Sequence, residues 1–268
     1  TRIDPRTGTV QRDPIGVGSG PAAIEVGGGS VYVACGDDSI WRIDPATGSA
    51  IRGPETIGDP AGVAVGDGAI WVTSASDGTV ARLDPTTLAL IGEPIEVGAQ
   101  PGDVVVGDDR AWVASVRDGT VTGIDTSSGE VVSTVDAGEF GAYALALHGD
   151  DVLAARTNER LAREVEIVGV DQGKAEIEGD GTDVPGAAIP IRLAAGEGAV
   201  WVTIAGGAAP PTFEQRPAQV AYLADGESDL APRRIEVGRR PTGIAVGYGR
   251  VWVASAEQGT VTPIDPHG

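Results

Sequence analysis

The sequence predicts an all-β fold built from six similar four-stranded units, and three observations lead to it. A motif of about 40 residues recurs along the chain, which is the mark of a repeat architecture. Within each copy apolar residues alternate with period two, and no segment shows a helical period. An aromatic or aliphatic residue takes the same place in every copy, at Tyr32, Trp71, Trp112, Leu153, Trp201 and Trp252. Together these features indicate a six-bladed β-propeller of four-stranded antiparallel blades.

The second copy shows how the strands are assigned. Its four strands, A to D, are predicted at about 62–65, 69–74, 79–84 and 91–97. Strands A and B are joined by the tight turn Gly66-Asp67-Gly68, and Asp-Pro and Asp-Gly pairs mark the other connections. Such residues supply the backbone angles that hairpins need. The recurring tryptophan is then expected to be a core wedge between neighbouring sheets.

Blade boundaries follow from the repeat, and the whole chain, 1–268, is predicted to be a single propeller domain. The blades are expected at about 21–59, 60–100, 101–140, 141–189, 190–240 and 241–268 plus 1–20. The last copy supplies strands A, B and C, and residues 9–18 read as the missing strand D. Ring closure by this N-terminal strand would remove an open sheet edge. Residues 1–4 read as a redundant part of strand C.

The composition of the chain limits the classes of molecule that it is expected to bind. The 268 residues carry a formal net charge of −20, which opposes binding to nucleic acid or to anionic lipid. Cys35 is the only cysteine and takes a place that is serine in other copies, so we expect a buried, inert thiol. No signal peptide and no stretch of membrane-spanning length is visible. Because the chain lacks methionine and opens inside a repeat, we expect a piece of a longer protein.

Departures from the repeat are the candidates for function, and three are long connections. Copies four and five are about ten residues longer than the first three, through predicted loops at 157–163, 179–190 and 204–219. All three belong to the D–A and B–C connections, so we expect them on one face, the top, of adjacent blades. They carry the candidate ligand-binding residues Arg160, Asp183, Phe213 and Arg216. Long loops on a rigid scaffold are a common place for recognition.

A second group of candidates lies at the start of the inner strands. Counted from the start of each unit, one position is Ala23, Gly62 or Gly243 in three copies and Asp103, Tyr143 or Arg192 in the others. An aspartate, a tyrosine and an arginine around one channel mouth would suit a small polar ligand or a peptide. The alternative is that Asp103 and Arg192 pair with each other or with solvent.

Catalytic and metal chemistry is not indicated. The chain has two histidines, His148 in a predicted turn and His267 in the tail, too few for a predicted zinc site. No nucleophile elbow, phosphate-binding loop or HExxH motif is present. Gly-Asp-Asp at 36–38, 107–109 and 149–151 is explained by turn chemistry, and the recurring Asp-Pro pairs by strand ends. No cofactor and no metal are expected.

The consensus P-x-G-[IV]-A-V-G-x-G-x-[VI]-W-V-x-S-x-x-x-G-T-V-x-x-I-D-P-x-T-G resembles the YVTN/NHL-type propeller repeats of bacteria. In particular it resembles the repeats that form extracytoplasmic sensor domains behind a transmembrane helix in actinobacterial serine/threonine kinases. That resemblance implies a sensor domain outside the cytoplasm. From the long loops and the polar residues of the channel mouth we expect a non-catalytic domain that binds a small polar ligand, a peptide or a protein on its top face, and we expect it to be monomeric.

Two alternatives stay open. Streptogramin B lyase has similar repeats, but the resemblance implies a catalytic histidine, glutamates and magnesium near the channel mouth. Neither histidine of this chain is predicted on that face. A lyase- or lactonase-like enzyme would instead need Asp103 or another channel carboxylate as acid or base. The third reading is a structural scaffold that binds protein partners.

Overall fold

The computed structural model confirms the fold class: the chain is all-β, with the six antiparallel sheets of a six-bladed β-propeller. It describes residues 2–4, 6–7, 9–11, 14–54, 57–138, 141–149, 151–157, 165–171, 176–184, 192–204, 207–209, 214–216, 218–224, 235–255 and 257–266. In this part of the chain no helix is long and apolar enough to cross a membrane. The chain divides into two compact units, Thr1–Val135 and Asp136–Gly268.

Unit 1 holds three meandering four-stranded sheets and an N-terminal hairpin. The hairpin is β1 (Arg2–Ile3) with β2 (Val10–Gln11). Sheet 1 is β3 (Pro21–Gly27), β4 (Ser30–Cys35), β5 (Ser39–Ile43) and β6 (Ala50–Arg52). Sheet 2 is β7 (Pro60–Gly66), β8 (Ala69–Ser74), β9 (Thr79–Leu83) and β10 (Ile95–Glu96). Sheet 3 is β11 (Pro101–Gly107), β12 (Arg110–Ser115), β13 (Thr120–Asp125) and β14 (Val131–Asp136), whose last residue is assigned to unit 2.

Unit 2 holds sheets 4, 5 and 6. Sheet 4 is β15 (Ala142–His148), β16 (Asp151–Thr157), β17 (Val165–Asp171) and β18 (Glu176–Val184). Sheet 5 is β19 (Leu193–Gly196), β20 (Ala199–Ile204), β23 (Gln219–Ala224) and β24 (Ile235–Glu236), with the hairpin β21 (Gly207–Ala209) and β22 (Glu214–Arg216) between its second and third strands. Sheet 6 is β25 (Pro241–Gly247), β26 (Arg250–Ser255) and β27 (Thr260–Ile264).

The strand at the N-terminus differs from its prediction. We expected residues 9–18 to complete the last blade, beside β27. In the residues that the structure describes, Val10 and Gln11 pair instead with Ile3 and Arg2, and β25, β26 and β27 form a three-stranded sheet. A Thr9 carbonyl that accepts the Asp4 amide at 2.9 Å closes this local hairpin. The short range of the contact explains the difference, because a neighbouring segment can be paired at little loop-closure cost.

The predicted A–B turns are confirmed by their backbone angles. Asp67 and Gly68 between β7 and β8 have φ of 47° and 75°, and Tyr248 and Gly249 between β25 and β26 have 56° and 68°. Positive φ at both central residues is the geometry that two-residue hairpins favour. Regular turns of this kind make the sheets similar to one another, so the differences between sheets lie in their side chains and at the other strand ends.

Apolar side chains from facing sheets form the core within each unit. In unit 1, Tyr32, Ala34 and Ile40 of sheet 1 pack with residues of sheet 2, and Trp71 of sheet 2 packs with residues of sheet 3. In unit 2, sheets 4 and 5 share one cluster and sheets 5 and 6 another. Trp71, Trp112 and Trp201 are all at most 1% exposed, which confirms the prediction of core wedges for these three; the fourth recurring tryptophan, Trp252, is half-buried.

Arginines on β5 and β9 fasten adjacent sheets of unit 1. Arg42 Nη1 donates to the Thr86 carbonyl at 2.8 Å, and Arg82 Nη1 donates to the Thr126 carbonyl at 3.2 Å. The Arg82 guanidinium also lies over the Trp71 ring, 5.7 Å from its centre. Such contacts add cation–π attraction and charge-assisted hydrogen bonds to the apolar packing.

Candidate functional site

The inner strand of several sheets starts with a β-bulge. The strand register shifts between Pro21 and Ala23 in β3, Pro101 and Asp103 in β11, Ala142 and Ala144 in β15, and Pro241 and Gly243 in β25. A bulge bends the strand locally and changes the direction of a side chain, and bulges are frequent beside functional sites. Of the predicted residues of the channel mouth, Asp103 and Tyr143 lie at or next to such a bulge.

Asp103 lies directly after the bulge of β11, opposite Ala114. It is half-buried, and its Oδ1 accepts the amide of Val104 at 3.0 Å. Gly62 in the neighbouring sheet has no room for a side chain, because a Cβ there would stand 2.5 Å from the Gly102 carbonyl and 3.3 Å from the Asp103 Cα. The glycine therefore allows the two inner strands to approach closely beside Asp103.

Glu25 of β3 is a site residue that we did not predict. It is half-buried, and burial raises the pKa of its carboxyl; the Val26 backbone opposes this, and the negative charge of Asp103 adds to it. Two carboxylates of unit 1, from sheets 1 and 3, are therefore close enough to influence each other. A signal was present in the sequence, since the corresponding inner-strand positions opposite the aligned residue are alanine or valine in the other copies, at Ala64, Val105, Ala146, Ala194 and Ala245.

Arg192 of unit 2 takes the position that Asp103 has in unit 1. Its amide donates to Thr203 Oγ1 at 2.9 Å, and its carbonyl accepts the Thr203 amide at 3.1 Å. Thr203 corresponds to Ala114, two residues after the tryptophan of its strand. Arg192 is exposed.

The predicted position of Tyr143 was wrong by one residue. The register pairs Ala142 with Arg156 and Ala144 with Ala155, which places Tyr143 inside the bulge. Ala144, fully buried, is the residue that corresponds to Asp103. The error arose because copy four lacks the proline that opens the others, while counting back from Leu153 gives the correct start at Ala142. Tyr143 is half-buried and remains next to the end of the inner strand.

Arg156, opposite Ala142, forms a further polar contact that the sequence did not suggest. Its Nε donates to Glu166 Oε2 at 3.1 Å, and its Nη1 donates to the Ala137 carbonyl at 3.2 Å. The two side chains are 24% and 11% exposed. One guanidinium therefore connects β16, β17 and the link between β14 and β15, immediately beside the bulge that carries Tyr143.

Two of the three predicted loops contain strands, which corrects their assignment. Residues 179–184 belong to β18, which pairs with β17 up to Val165 and Val184. Residues 179–181 lie opposite Val168 alone, so a register shift absorbs the extra length. Within 204–219, the hairpin β21–β22 pairs Gly207 with Arg216. Backbone pairing with a neighbouring strand outweighed the turn-like composition of both segments.

The remaining candidates of the loops are placed in part. Asp183 lies on β18 opposite Glu166, and Arg216 lies on β22. Of 157–163, Thr157 ends β16 and pairs with Val165. The other residues of that segment, including Arg160, lie outside the described residues, as does Phe213.

Other expectations concern metals and thiols. Among the residues that the structure describes, no group of His, Cys, Asp and Glu side chains could hold a metal ion. His148 pairs with Asp151 at the A–B turn of sheet 4, as predicted, and His267 lies outside the described part. Cys35 is buried and not in a disulfide, and burial raises the pKa of its thiol, which fits an inert side chain.

A cavity of ≈ 430 Å³ lies elsewhere in unit 1, on sheet 1 and the segment before it. Its lining is apolar and includes Ile15, Val17, Ile24, Val26 and Ile43. None of the candidate recognition residues lines it. The lining residues that the structure describes are aliphatic side chains and prolines.

No protein-family model and no curated protein sequence matches the chain. Solved β-propeller structures do. A hydrazine synthase chain from Kuenenia stuttgartiensis superposes with a TM-score of 0.78 at 15% identity, over 97% of this chain and 79% of that one. A streptogramin B lyase gives 0.68 at 17% identity, over 90% and 78%. BamB from Moraxella catarrhalis gives 0.60 at 18%, over 90% and 70%. The likeness is one of fold.

Proposed function

We propose that this chain is a non-catalytic, monomeric binding domain, the sensor propeller of a longer extracytoplasmic protein of the YVTN/NHL-repeat type, such as a serine/threonine kinase. The observation that carries the proposal is the half-buried Glu25 near Asp103, at inner-strand positions that are small or apolar in most other sheets. In unit 2 the exposed Arg192 takes the position equivalent to Asp103. Because most other sheets have small or apolar residues at these positions, charged side chains there are better explained by a role in recognition than by a role in folding.

The chemistry of the carboxylates indicates what part of a ligand unit 1 would bind. Burial and the charge of Asp103 both raise the pKa of Glu25, so a positive charge placed beside the two carboxylates would stabilise the ionised form of Glu25. An ammonium or guanidinium group between them would offset that repulsion, and its N–H groups would donate charge-assisted hydrogen bonds to the carboxylate oxygens. We therefore propose that the ligand is a small molecule or a peptide with a cationic group.

A binding role is favoured over a lyase-like one by the position of His148, the histidine that lies among the described residues. His148, on β15, lies at the A–B turn and thus at the opposite end of that strand from Tyr143 and the bulge. Among the solved structures of similar fold is a catalytically inactive histidine-to-alanine variant of virginiamycin B lyase from Staphylococcus aureus with quinupristin, which superposes at a TM-score of 0.72 and 16% identity. A histidine is thus needed in that protein, and in this chain His148 is far along the strand from the candidate residues.

Thermal unfolding with cationic probes tests the binding proposal. Spermidine, agmatine and L-arginine, at constant ionic strength, should raise the Tm of the wild type by a few degrees, since a ligand at about 100 times its Kd adds about 2.7 kcal/mol. Asp103→Asn and Glu25→Gln should lose the shift. Glu96→Gln, which removes an exposed carboxylate of β10, is the matched control and should keep it.

Two results would overturn this proposal. One is the absence of a Tm shift with every cationic probe in the wild type. The other is an equal shift in all variants, which would indicate general attraction to the net charge of −20. The placement in a kinase is tested separately by the coding sequence upstream of Thr1, which should encode a kinase domain and one apolar helix; any other arrangement refutes it.

A further inference from the structure

In the regular sheets, a serine at the end of strand B holds the link that leads into the same sheet. Ser74 Oγ donates to the Gly58 carbonyl, Ser115 Oγ to the Val97 carbonyl at 3.3 Å, and Ser255 Oγ to the Gly238 carbonyl at 2.9 Å. These hydroxyls are buried, and each donates to a carbonyl of the link, where hydrogen bonding offsets the cost of removing the polar groups from water. The contact is part of the repeat and explains why a small hydroxyl residue recurs there.

Sheet 4 keeps the contact but replaces the serine with Arg156. The guanidinium reaches the Ala137 carbonyl at 3.2 Å, the equivalent of the Val97 carbonyl, and it pairs at 3.1 Å with Glu166 on the adjacent strand. A serine cannot make the second contact. Arg156, on β16, therefore connects the link that leads into sheet 4 with β17 as well as with its own strand.

The position of this ion pair connects it with two irregular features. The backbone of Arg156 pairs with Ala142, the residue before Tyr143 in the bulge, and Glu166 pairs with Asp183 on the lengthened β18. The strands β16, β17 and β18 have 7, 7 and 9 residues, whereas β12, β13 and β14 of sheet 3 have 6 each. The Arg156–Glu166 pair thus lies where the strands of sheet 4 begin to extend beyond the length that the equivalent strands have in sheet 3.

We propose that Arg156 and Glu166 are positioning residues, which fix the orientation of Tyr143 and the lengthened ends of β17 and β18 as a recognition surface. The proposal rests on the proposed function only in treating Tyr143 as a recognition residue. Its physical basis is the geometry of the guanidinium, which donates in two directions from one plane, whereas lysine presents a single point charge. Breaking a half-buried pair leaves the other charge without its partner, so the local structure must rearrange.

Fluorine NMR of the protein labelled with 3-fluorotyrosine tests the proposal without any ligand. The chain has four tyrosines, Tyr32, Tyr143, Tyr222 and Tyr248, which tyrosine-to-phenylalanine variants would assign. In Arg156→Met and in Glu166→Gln, the Tyr143 resonance should shift or broaden, and that of the exposed Tyr248 should stay in place. Arg156→Lys should not restore the wild-type position.

Two matched controls separate positioning from a general loss of stability. Arg239→Met removes an exposed ion pair, with Glu257 at 3.6 Å and side chains 73% and 49% exposed, and should leave the Tyr143 resonance unchanged. Ser115→Ala removes the equivalent link contact in sheet 3 and should also leave it unchanged. Amide exchange at 142–147 and 176–184 should become about tenfold faster in the Arg156 and Glu166 variants only, by local opening.

An unshifted Tyr143 resonance in folded Glu166→Gln, which is the milder change should Arg156→Met fail to fold, would overturn the proposal. An equal shift in Ser115→Ala would overturn it as well. Failure of the cationic probes to bind would refute the binding role but would not alter these spectra, so the two failures are distinguishable.

Discussion

Sheets 3 and 4 both use side chains to hold the link that leads into the sheet, but the side chains differ. In sheet 3, the buried Ser115 and Thr122 both donate to the Val97 carbonyl, at 3.3 and 2.9 Å, and Asp118 accepts the Ala99 amide at 2.7 Å. In sheet 4, the Arg156–Glu166 pair holds the corresponding link. The backbone contact is retained while its chemistry changes from neutral to charged. Both links lie beside a bulge, but in sheet 4 the guanidinium also contacts a second side chain, Glu166 on the adjacent strand.

The same contrast appears at the core position of the two sheets. Trp112 in sheet 3 is 1% exposed and lies against Gly123, where a Cβ would stand 2.7 Å from the indole Cζ3. Leu153 in sheet 4 is only partly buried and lies opposite Gly169. In sheet 3 the absence of a side chain at Gly123 makes room for the indole ring of Trp112. In sheet 4 the smaller Leu153 fills the space opposite Gly169 less completely.

Replacement of these residues by alanine should give the largest difference between the sheets. Trp112→Ala should destabilise the protein by about 3–5 kcal/mol, and Leu153→Ala by about 2 kcal/mol, because the larger and better buried side chain leaves the larger cavity. Urea unfolding followed by far-UV circular dichroism measures both. An equal or larger loss in Leu153→Ala would show that sheet 4 is packed as tightly as sheet 3.

How far the sequence predicts the molecule can be seen from these same sheets. The repeat fixes strand positions because turns with positive φ and the aligned tryptophan recur at constant spacing, and the inner core follows from period-two alternation. It fails for Tyr143, where the opening proline is missing and the start of the copy was placed one residue early. For residues 179–184 the repeat predicts a loop, because copy four is longer than the regular copies, and it does not show that the extra residues extend β18.

The polar contacts of the candidate site were harder to predict for a physical reason. Arg156 and Glu166 lie on two neighbouring strands, and the length of the connection between these strands does not determine which of their residues pair. Only the strand register of the folded protein shows that the two residues meet. Glu25 was overlooked although its position is alanine or valine in the other copies; comparison of every inner-strand position would have found it. Its proximity to Asp103, from a sheet about 80 residues later, depends on the packing of three sheets.

Close approach of the inner strands also differs between the units, and glycine substitutions at one repeat position measure it. Gly62→Ala should cost about 1–3 kcal/mol, because its Cβ would stand 2.5 Å from the Gly102 carbonyl, a backbone atom that cannot rotate away. Gly243→Ala, at the equivalent position of sheet 6, would place its Cβ 3.6 Å from the Ala254 Cβ and should change stability by less than about 0.5 kcal/mol. Thermal unfolding of the two variants makes the comparison.

A smaller effect is expected when the hydroxyl of sheet 3 is removed. Ser115→Ala should cost about 1 kcal/mol, the usual net value of one hydrogen bond, because Thr122 still donates to the Val97 carbonyl at 2.9 Å. The double variant Ser115→Ala, Thr122→Val should cost more than the sum of the two single changes, since the carbonyl then loses both donors. Strict additivity in urea unfolding would contradict the shared-acceptor explanation.

The smallest effect concerns the C–D turns, where Asp125 organises the end of sheet 3. The hydroxyl of Ser127, then the amide and hydroxyl of Ser128, stabilise its carboxylate and lower its pKa to about 2. Because the pKa is lower in the folded state than the value of about 3.9 in an unfolded chain, the charge stabilises the fold above about pH 4, and this contribution is lost as the pH falls through about 2. The stability difference between the wild type and Asp125→Asn should therefore shrink over that range.

Urea midpoints at pH 7, 4, 3 and 2 test this, with Glu130→Gln in the same turn as the control for loss of charge alone. The corresponding aspartate of sheet 4, Asp171, is followed by Gly173 and Lys174 where sheet 3 has its two serines, so hydroxyl donors are missing from the sequence there. Asp171→Asn should then show a weaker dependence on pH than Asp125→Asn. Equal pH dependence in the two variants would mean that backbone amides stabilise the aspartate charge without help from the hydroxyls, since any turn of this shape provides such amides. The contrast between the regular and irregular sheets would then not extend to their C–D turns.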